Sequence, residues 1–167
     1  MLDVNLDGLK HLFIDVDGVM TDGKTVYNHH HEKIYKQFND KDFTAIGLLE
    51  SVGINCYLLT GDKRNKGMAI ERNIPIFVTE KWLTVETFNK YDCEKALIIK
   101  KITKDNLDSV GYIGDDWFDI PVLQMVPYSF CPSDSPFYVK SVCKYVLNRK
   151  GGDGCLSEIA EAFYAVS

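Results

Sequence analysis

An acidic run that directly follows a short apolar segment constrains the fold of this chain more than any other feature. Leu12, Phe13 and Ile14 are typical of a buried strand, and the carboxylates of Asp15 and Asp17 come directly after them. Two carboxylates about 4 Å apart repel each other by about 4 kcal/mol at an effective dielectric constant of roughly 20. A polar strand end with an ordinary turn explains such a pair taken alone. A bound cation, a shared proton or a reaction would instead offset the repulsion.

Segments of strand and helix character alternate along the 167 residues. This predicts a parallel sheet covered by helices on both faces. Strands are predicted at residues 11–16, 54–60, 74–78 and 109–113, with short late strands at 128–131 and 144–147. Helices are predicted at residues 41–52, 63–72, 95–103, 116–126 and 156–165, and a β-hairpin at about 24–38. We therefore expect a single doubly wound, Rossmann-like α/β domain over residues 1–167 without a cap domain, and assign no function to residues 79–94.

Polar motifs stand where the predicted strands end, and ligands of such sheets bind beyond the carboxyl ends of the strands. Beside Asp15 and Asp17, these motifs are Thr60-Gly61 after the second strand and Gly114-Asp115-Asp116, followed by Asp119, after the fourth. Four or five carboxylates at one edge require a hard divalent cation, and oxygen ligands without His or Cys favour Mg²⁺ over zinc. The sequence thus predicts a magnesium site where three separate segments converge.

The charge balance and the composition exclude several classes of partner. The chain has 24 acidic residues against 19 Lys and Arg, a net charge of −5, and no basic patch for nucleic acid. No stretch approaches the roughly 18 apolar residues of a membrane helix. The five cysteines show neither zinc-ligand spacing nor a disulfide pattern, and no signal peptide is evident, so we expect a cytoplasmic protein.

Taken together, these motifs resemble those of haloacid dehalogenase (HAD) superfamily phosphatases. More narrowly, the chain resembles the capless phosphatases of sugar acids, which act on 3-deoxy-D-manno-octulosonate 8-phosphate (KDO 8-phosphate) or on nonulosonate 9-phosphates. The residues that carry the narrower resemblance are Asp15-Val16-Asp17-Gly18-Val19-Met20-Thr21-Asp22-Gly23, the hairpin ending in Phe38-Asn39, Asp42, Thr60-Gly61, Tyr112-Ile113-Gly114-Asp115-Asp116, Ser135-Pro136-Phe137-Tyr138 and Gly151-Gly152-Asp153-Gly154. The match covers almost the whole chain.

The resemblance implies a role for each matched residue. Asp15 would attack phosphorus and form an aspartyl-phosphate, and Asp17 would act as general acid and then as general base. Asp15, the backbone carbonyl of Asp17 and Asp115 would hold Mg²⁺, supported by Asp119 or Asp116. Thr60, the amide of Gly61 and Lys95 would bind the phosphoryl oxygens.

Several of these assignments have alternatives. Thr60 taken alone is also an ordinary β-branched strand residue, and Lys81 competes with Lys95 for the role of the motif lysine. Asp119 could instead cap a helix or orient the lysine. We expect substrate specificity to come from residues such as Asp62, Lys63 and Asp42 and from the hairpin.

The chain departs from the family pattern at two places that bear on the substrate. Members of the subfamily usually have Arg-Glu after the glycine-rich run, where this chain has Ser157-Glu158, which leaves the usual contact to the substrate carboxylate without its residue. Thr60-Gly61-Asp62-Lys63 resembles the form found in nonulosonate phosphatases more than the Thr-Gly-Arg of octulosonate enzymes. This favours a nonulosonate 9-phosphate as substrate.

Assembly and function follow from the same resemblance. Because a small hairpin cannot close a site alone, we expect a homotetramer in which a neighbouring subunit covers the pocket. A signalling receiver domain is the first rival, but it needs an Asp after the third strand, where Thr79-Glu80 stands. The second rival is a catalytically weak oligomerisation module associated with a sugar-acid activating enzyme, which the presence of Asp15 and Asp17 disfavours.

Overall fold

A computed structural model of the chain describes residues 5–79 and 93–164. Its strands are β1 (His11–Asp15), β2 (Val26–Tyr27), β3 (Lys33–Tyr35), β4 (Asn55–Thr60), β5 (Ile76–Val78), β6 (Val110–Ile113), β7 (Tyr128–Cys131) and β8 (Tyr145–Val146). Its helices are α1 (Asp40–Ser51), α2 (Lys66–Glu71), α3 (Glu94–Thr103), α4 (Ile120–Met125), α5 (Phe137–Val142) and α6 (Leu156–Tyr164).

Six parallel strands form the central sheet in the order β5-β4-β1-β6-β7-β8. β1 therefore lies between β4 and β6, where the strand order reverses and where doubly wound sheets bind their ligands. This order confirms the predicted Rossmann-like fold class. It differs from the 2-1-3-4-5 order of flavodoxin-like sheets, which the rival receiver domain would have.

β1 is buried on both faces because helices cover both sides of the sheet. Leu12 and Ile14 belong to the core layer that includes Ile46 of α1 and Ile159 of α6. Phe13 points into the other layer, which is formed mainly with α3 and α4. Alternate residues of one strand thus fill two separate cores, which fixes the register of β1 and the place where its acidic end emerges.

The hairpin forms a separate sheet of two antiparallel strands, β2 and β3, which are shorter than the predicted arms. Its strands expose four large apolar side chains to solvent: Val26, Tyr27, Ile34 and Tyr35. The hairpin therefore has little core of its own, and what holds it to the domain is polar, as the site shows.

Element boundaries differ from the predicted ones in a few places. Two predicted helices, at residues 63–72 and 116–126, begin with a 3₁₀ turn, and Pro121 lies in the first turn of α4, where its missing N–H is tolerated. The six-residue helix α5 follows Pro136 and was not predicted. Lys81 lies outside the described residues. Among the helices of residues 5–79 and 93–164, none combines the length and apolar character needed to cross a bilayer.

Candidate active site

The loop after β1 turns tightly and brings its backbone against the loop after β6. The carbonyl of Val16 accepts hydrogen bonds from the amides of Met20 (3.0 Å) and Thr21 (3.2 Å). Gly18 has a φ of +89°, and a Cβ at this position would lie 2.0 Å from Oδ2 of Asp115. Only glycine fits here, because the backbone is left-handed and the carboxylate of Asp115 occupies the space.

A buried group of polar side chains, here called the inner cluster, lies at the carboxyl ends of β1 and β6. Its members are Asp15, Lys95, Tyr112, Asp115 and Asp119. Nζ of Lys95 donates to Oδ1 of Asp15 and to Oδ1 of Asp119, both at 2.7 Å, and to the hydroxyl of Tyr112 at 3.0 Å. Burial opposes the charge of Lys95, but Asp119 and Asp15 raise its pKa well above the usual value. The structure thus places a fixed ammonium beside Asp15.

The carboxylate of Asp119 is occupied by donors of the chain itself. Oδ1 accepts from Lys95 and from the hydroxyl of Tyr112, and Oδ2 accepts from the amides of Asp115 (3.0 Å) and Asp116 (3.1 Å). Four donors match the four acceptor positions of a carboxylate. The contacts of Asp119 therefore suit both alternatives that the sequence left open, because its carboxylate holds Lys95 and also caps the 3₁₀ turn in a capping box with Asp116. Asp116 caps the 3₁₀ turn through the amide of Trp117.

Three carboxylates of the inner cluster are close enough to share a cation. Oxygen atoms of Asp15, Asp115 and Asp119 all lie within 4.8 Å of one another. Oδ1 of Asp115 is buried and has no hydrogen-bond partner among residues 5–79 and 93–164. Burial, together with Asp119 and Asp15, raises the pKa of Asp115 to about 9, and burial also raises the pKa of Asp15 to about 7. A hard divalent cation would satisfy the orphaned oxygen and keep both groups ionised, so the residues fit Mg²⁺.

A second group of side chains, here called the outer cluster, lies where β4 ends. It comprises Asp17, Lys36, Thr60, Asp62 and Asn65. Oδ2 of Asp17 accepts from Nδ2 of Asn65 (3.1 Å) and from the hydroxyl of Thr60 (3.4 Å), and Oδ1 accepts from Lys36. The side chain of Asp17 therefore faces the end of β4, and the Asp15-Asp115-Asp119 group does not include it.

The hairpin reaches this cluster through two lysines. Oδ2 of Asp62 lies 3.0 Å from Nζ of Lys36 and 3.4 Å from Nζ of Lys33. Burial alone would raise the pKa of Asp62, but hydrogen bonds from Arg64 and Lys36 bring it below its usual range. Asp62 thus stays ionised and ties the hairpin to the 3₁₀ turn after β4.

The remaining predicted site residues lie at other places. Gly61 is exposed beside Thr60, and Lys63 is exposed in the 3₁₀ turn. Asp42 is fully buried, and its Oδ1 accepts from the amide of Leu156 (3.0 Å), so it holds the start of α6. Ser157 lines a groove between α1 and α6. Of the predicted residues, the structure brings together Asp15, Asp17, Thr60, Asp62, Lys95, Asp115, Asp116 and Asp119.

Sequence reasoning missed three residues that hold these carboxylates: Lys36, Asn65 and Tyr112. Lys36 lies on an excursion of the chain, to which the rule about strand ends does not apply. Tyr112 was seen only as part of a strand and of the family motif. Asn65 offered a weak signal, because it follows Asp62 by one 3₁₀ turn and so faces back to the end of the strand.

A glycine-rich loop between β8 and α6 packs against the turn after β1. The amide of Gly152 donates to the carbonyl of Val19 (2.8 Å). A Cβ on Gly151 would lie 1.8 Å from the carbonyl oxygen of Gly18, so the two backbones are in direct contact. Glu158 holds the same loop by accepting from the amides of Asn148 and Arg149. The position of the acidic turn thus depends on residues far away in the sequence.

Comparisons with known proteins found relatives in sequence and in fold. The curated 3-deoxy-D-manno-octulosonate 8-phosphate phosphatase KdsC of Haemophilus influenzae is 30% identical over 160 residues, which cover 93% of this chain and 83% of the relative. A cobalt-bound structure of the phosphatase from that organism matches with a TM-score of 0.79 at 27% identity, covering 96% of this chain and 90% of the other. No model of a known protein family matches the sequence.

A third match concerns the fold alone, because its identity is only 23%. It is the phosphatase of Moraxella catarrhalis, whose structure contains a magnesium ion, a phosphate ion and a KDO molecule. It matches with a TM-score of 0.77 and covers 96% of this chain and 94% of the other. With its carboxylate site for Mg²⁺ and its kinship to the Haemophilus influenzae enzyme, the chain belongs to the KDO 8-phosphate phosphatase family of the HAD superfamily, which hydrolyses phosphate monoesters with Mg²⁺ as cofactor.

Proposed function

We propose that this chain hydrolyses a 2-keto-3-deoxy sugar-acid phosphate through an aspartyl-phosphate on Asp15. The observation that carries the proposal is the Lys95 ammonium, held 2.7 Å from both Asp15 and Asp119 at the edge of the carboxylate group. Phosphoryl transfer depends mainly on positioning and on stabilising negative charge. A fixed cation beside the proposed nucleophile supplies both in a protein of net charge −5.

The proposed reaction has two steps. In the first, an oxygen of Asp15 forms a bond to phosphorus, the bond between phosphorus and the ester oxygen breaks, and Asp17 gives that oxygen a proton. In the second, Asp17 takes a proton from water, which attacks phosphorus and releases inorganic phosphate and free Asp15. Thr60 and the amide of Gly61 hold the phosphoryl oxygens. Bound Mg²⁺ would supply further positive charge to the phosphoryl group.

Two observations bear on which sugar acid is hydrolysed. The curated relatives are named as phosphatases of KDO 8-phosphate. Thr60-Gly61-Asp62-Lys63, together with Ser157 in place of the usual arginine, favours a nonulosonate 9-phosphate instead. The position of Asp62 in the outer cluster, where it is paired with Lys36, supports a role for it in specificity. Both substrates carry a carboxylate and a primary phosphate ester, so the proposed chemistry is the same for both.

The exposed hairpin supports a homotetramer. Val26, Tyr27, Ile34 and Tyr35 are between 42% and 58% exposed on a ribbon of only two strands. Several large apolar side chains exposed together on so small a sheet favour a contact between subunits. Light scattering coupled to gel filtration should give four times the mass of one chain, and a monomer would rule the assembly out. We place the protein in the cytoplasm, where sugar-acid phosphates are metabolised.

Phosphate release from KDO 8-phosphate and from nonulosonate 9-phosphates, measured with and without Mg²⁺, tests the function. We expect Mg²⁺-dependent turnover of at least one of them and its loss in Asp15→Asn, whose uncharged amide cannot attack phosphorus. Turnover that survives Asp15→Asn would overturn the mechanism. A wild-type protein that is folded but hydrolyses none of these esters would favour the oligomerisation module.

A further inference from the structure

Lys36 differs from an ordinary surface lysine in its surroundings. It follows directly after β3, where the neighbouring Tyr35 is 58% exposed, yet only 10% of its own side chain is exposed. Lysine side chains are rarely buried to this extent unless they are paired. The burial of Lys36 therefore calls for partners, and the outer cluster provides them.

The contacts of Lys36 converge on the proposed acid and base. Its Nζ donates to Oδ1 of Asp17, lies 3.0 Å from Oδ2 of Asp62 and donates to Oδ1 of Asn65 at 3.2 Å. Asn65 in turn donates to the other oxygen of Asp17. Both carboxylate oxygens of Asp17 are thus held from the hairpin side, directly or through one residue.

Each of the two proposed reacting carboxylates is paired with its own lysine. Lys95 is bound to Asp15, which forms the bond to phosphorus, whereas Lys36 is bound to Asp17, which moves the proton. A proton can be delivered to the leaving oxygen only if the carboxyl group is within hydrogen-bond reach of it. The residue that fixes the orientation of Asp17 therefore affects this proton transfer, and the later proton transfer from water, but not the attack by Asp15.

We propose that Lys36 is a positioning residue that holds Asp17 in place for proton transfer to the leaving oxygen of the substrate. The inference rests on the proposed function, since it needs Asp17 as general acid. It assigns the hairpin a part in the chemistry of its own subunit. For an ester whose leaving group needs no proton, the first step, which kcat/KM reports, should be insensitive to Lys36.

Two esters that differ in their leaving group test this inference. p-Nitrophenyl phosphate releases a stabilised phenolate, whereas the sugar-acid phosphate releases an alkoxide that must be protonated. Lys36→Met keeps the volume of the side chain but removes its charge and its donors. We expect kcat/KM for the sugar-acid phosphate to fall roughly 10- to 100-fold, less than the full ~10²–10⁴-fold of general acid catalysis because Asp17 itself remains, and kcat/KM for p-nitrophenyl phosphate to fall less than about threefold.

Lys24→Met is the matched control, because it removes the same charge from the same hairpin, and the 83% exposed side chain of Lys24 pairs with Asp22, which belongs to neither cluster. It should leave the ratio of the two rates unchanged. Lys36→Arg, which keeps the charge and the donors, should restore most of the lost selectivity. Thermal unfolding checks that each variant is folded, and Lys36→Ala replaces Lys36→Met if the methionine is not accommodated.

Equal losses on both esters, or no loss on either, would overturn the proposed role of Lys36. Failure of the underlying function gives a different result, because Asp15→Asn would then retain its activity toward p-nitrophenyl phosphate. The ratio of the two rates therefore reports on Lys36, and the nucleophile variant reports on the reaction itself.

Discussion

The inner and outer clusters contain the same kinds of side chain but hold them in different ways. In the inner cluster, β1, β6, α3 and the loop and 3₁₀ turn after β6 supply the residues, and Asp119 is satisfied by four donors of the chain. In the outer cluster, the 37% exposed side chain of Asp17 depends on a lysine from the hairpin. The part of the site that would bind phosphorus and Mg²⁺ is thus built into the core, whereas the part that would move the proton is joined to an excursion.

This difference leads to a general expectation for the two halves. Changes in the inner cluster should affect every phosphate ester equally, because they act on the proposed nucleophile and on the charge around phosphorus. The effect of a change in the outer cluster on kcat/KM should depend on the leaving group of the ester. Variants of the inner cluster therefore test whether phosphoryl transfer and proton transfer belong to separate clusters as sharply as variants of Lys36 do.

Replacing Lys95 should have the largest effect. In Lys95→Met the ammonium beside Asp15 is lost, and we expect kcat to fall roughly 1,000-fold, as for the loss of one charged group that stabilises a transition state. The fall should be equal for p-nitrophenyl phosphate and for the sugar-acid phosphate. Lys101→Met, an exposed position on the same helix, is the control. A loss restricted to the alkyl ester would contradict the division between the clusters.

Removal of Mg²⁺ should make the stability of the protein depend on pH through the carboxylates of the inner cluster. Without a cation, the pKa of Asp115 is raised to about 9 and that of Asp15 to about 7, far above the ordinary aspartate value of 3.8. The folded state then binds more protons than the unfolded state, so the free energy of unfolding falls as pH rises from about 4 to about 9, by on the order of a few kcal/mol.

Thermal unfolding with a chelator and with Mg²⁺ measures this effect. We expect the chelated protein to be less stable at pH 8.5 than at pH 5.5, and added Mg²⁺ to stabilise it more at the higher pH. Asp115→Asn should weaken both responses. Equal stabilisation by Mg²⁺ at the two values of pH would show that the cation is not held by these carboxylates.

The glycine-rich loop should matter for stability because both clusters depend on the turn after β1. In Gly151→Ala the new Cβ would meet the carbonyl of Gly18, and we expect unfolding to become easier by about 1–3 kcal/mol, a typical cost of overpacking. Gly47→Ala is the control, because nothing lies within 4 Å of its Cβ position on the exposed face of α1. That change should stabilise the protein by up to about 1 kcal/mol. Chemical denaturation of both variants measures the difference.

Replacing Tyr112 should have the smallest effect. Tyr112→Phe removes one donor to Asp119 and one acceptor for Lys95, and leaves the ring packed. We expect a loss of about 1 kcal/mol in transition-state stabilisation, or roughly a fivefold fall in kcat, on both esters. Tyr57→Phe, a half-buried tyrosine of β4, is the control. A fall for the alkyl ester alone would place Tyr112 functionally with the outer cluster.

The residues that sequence reasoning could place are those to which a rule about parallel sheets applies. Asp15 and Asp115 end neighbouring strands, and the strand order of the sheet brings them to one edge. Thr60 ends the strand on the other side of β1. The family resemblance added Lys95, which lies in the first turn of α3 and is not at a strand end.

The rest could not be predicted because it depends on contacts between segments far apart. Lys36 and Asp17 are 19 residues apart, and nothing in the local pattern of the hairpin indicates that the lysine turns inward. Asp42 looked like a specificity residue, but its burial against the start of α6 is visible only once both helices are packed. The helix α5 is a single short stretch after Pro136, too brief to show a period.

Tyr35 and Lys36 are consecutive residues of an extended segment, and consecutive side chains of such a segment point to opposite sides. The tyrosine faces outward and the lysine faces Asp17. A contact made by Tyr35 is therefore one residue away from Lys36, which holds the proposed general acid Asp17. If a neighbouring subunit packs on Tyr35, dilution that dissociates the subunits would lower the rate of hydrolysis of the alkyl ester but not of the aryl ester. Assembly would then control the proton-transfer step.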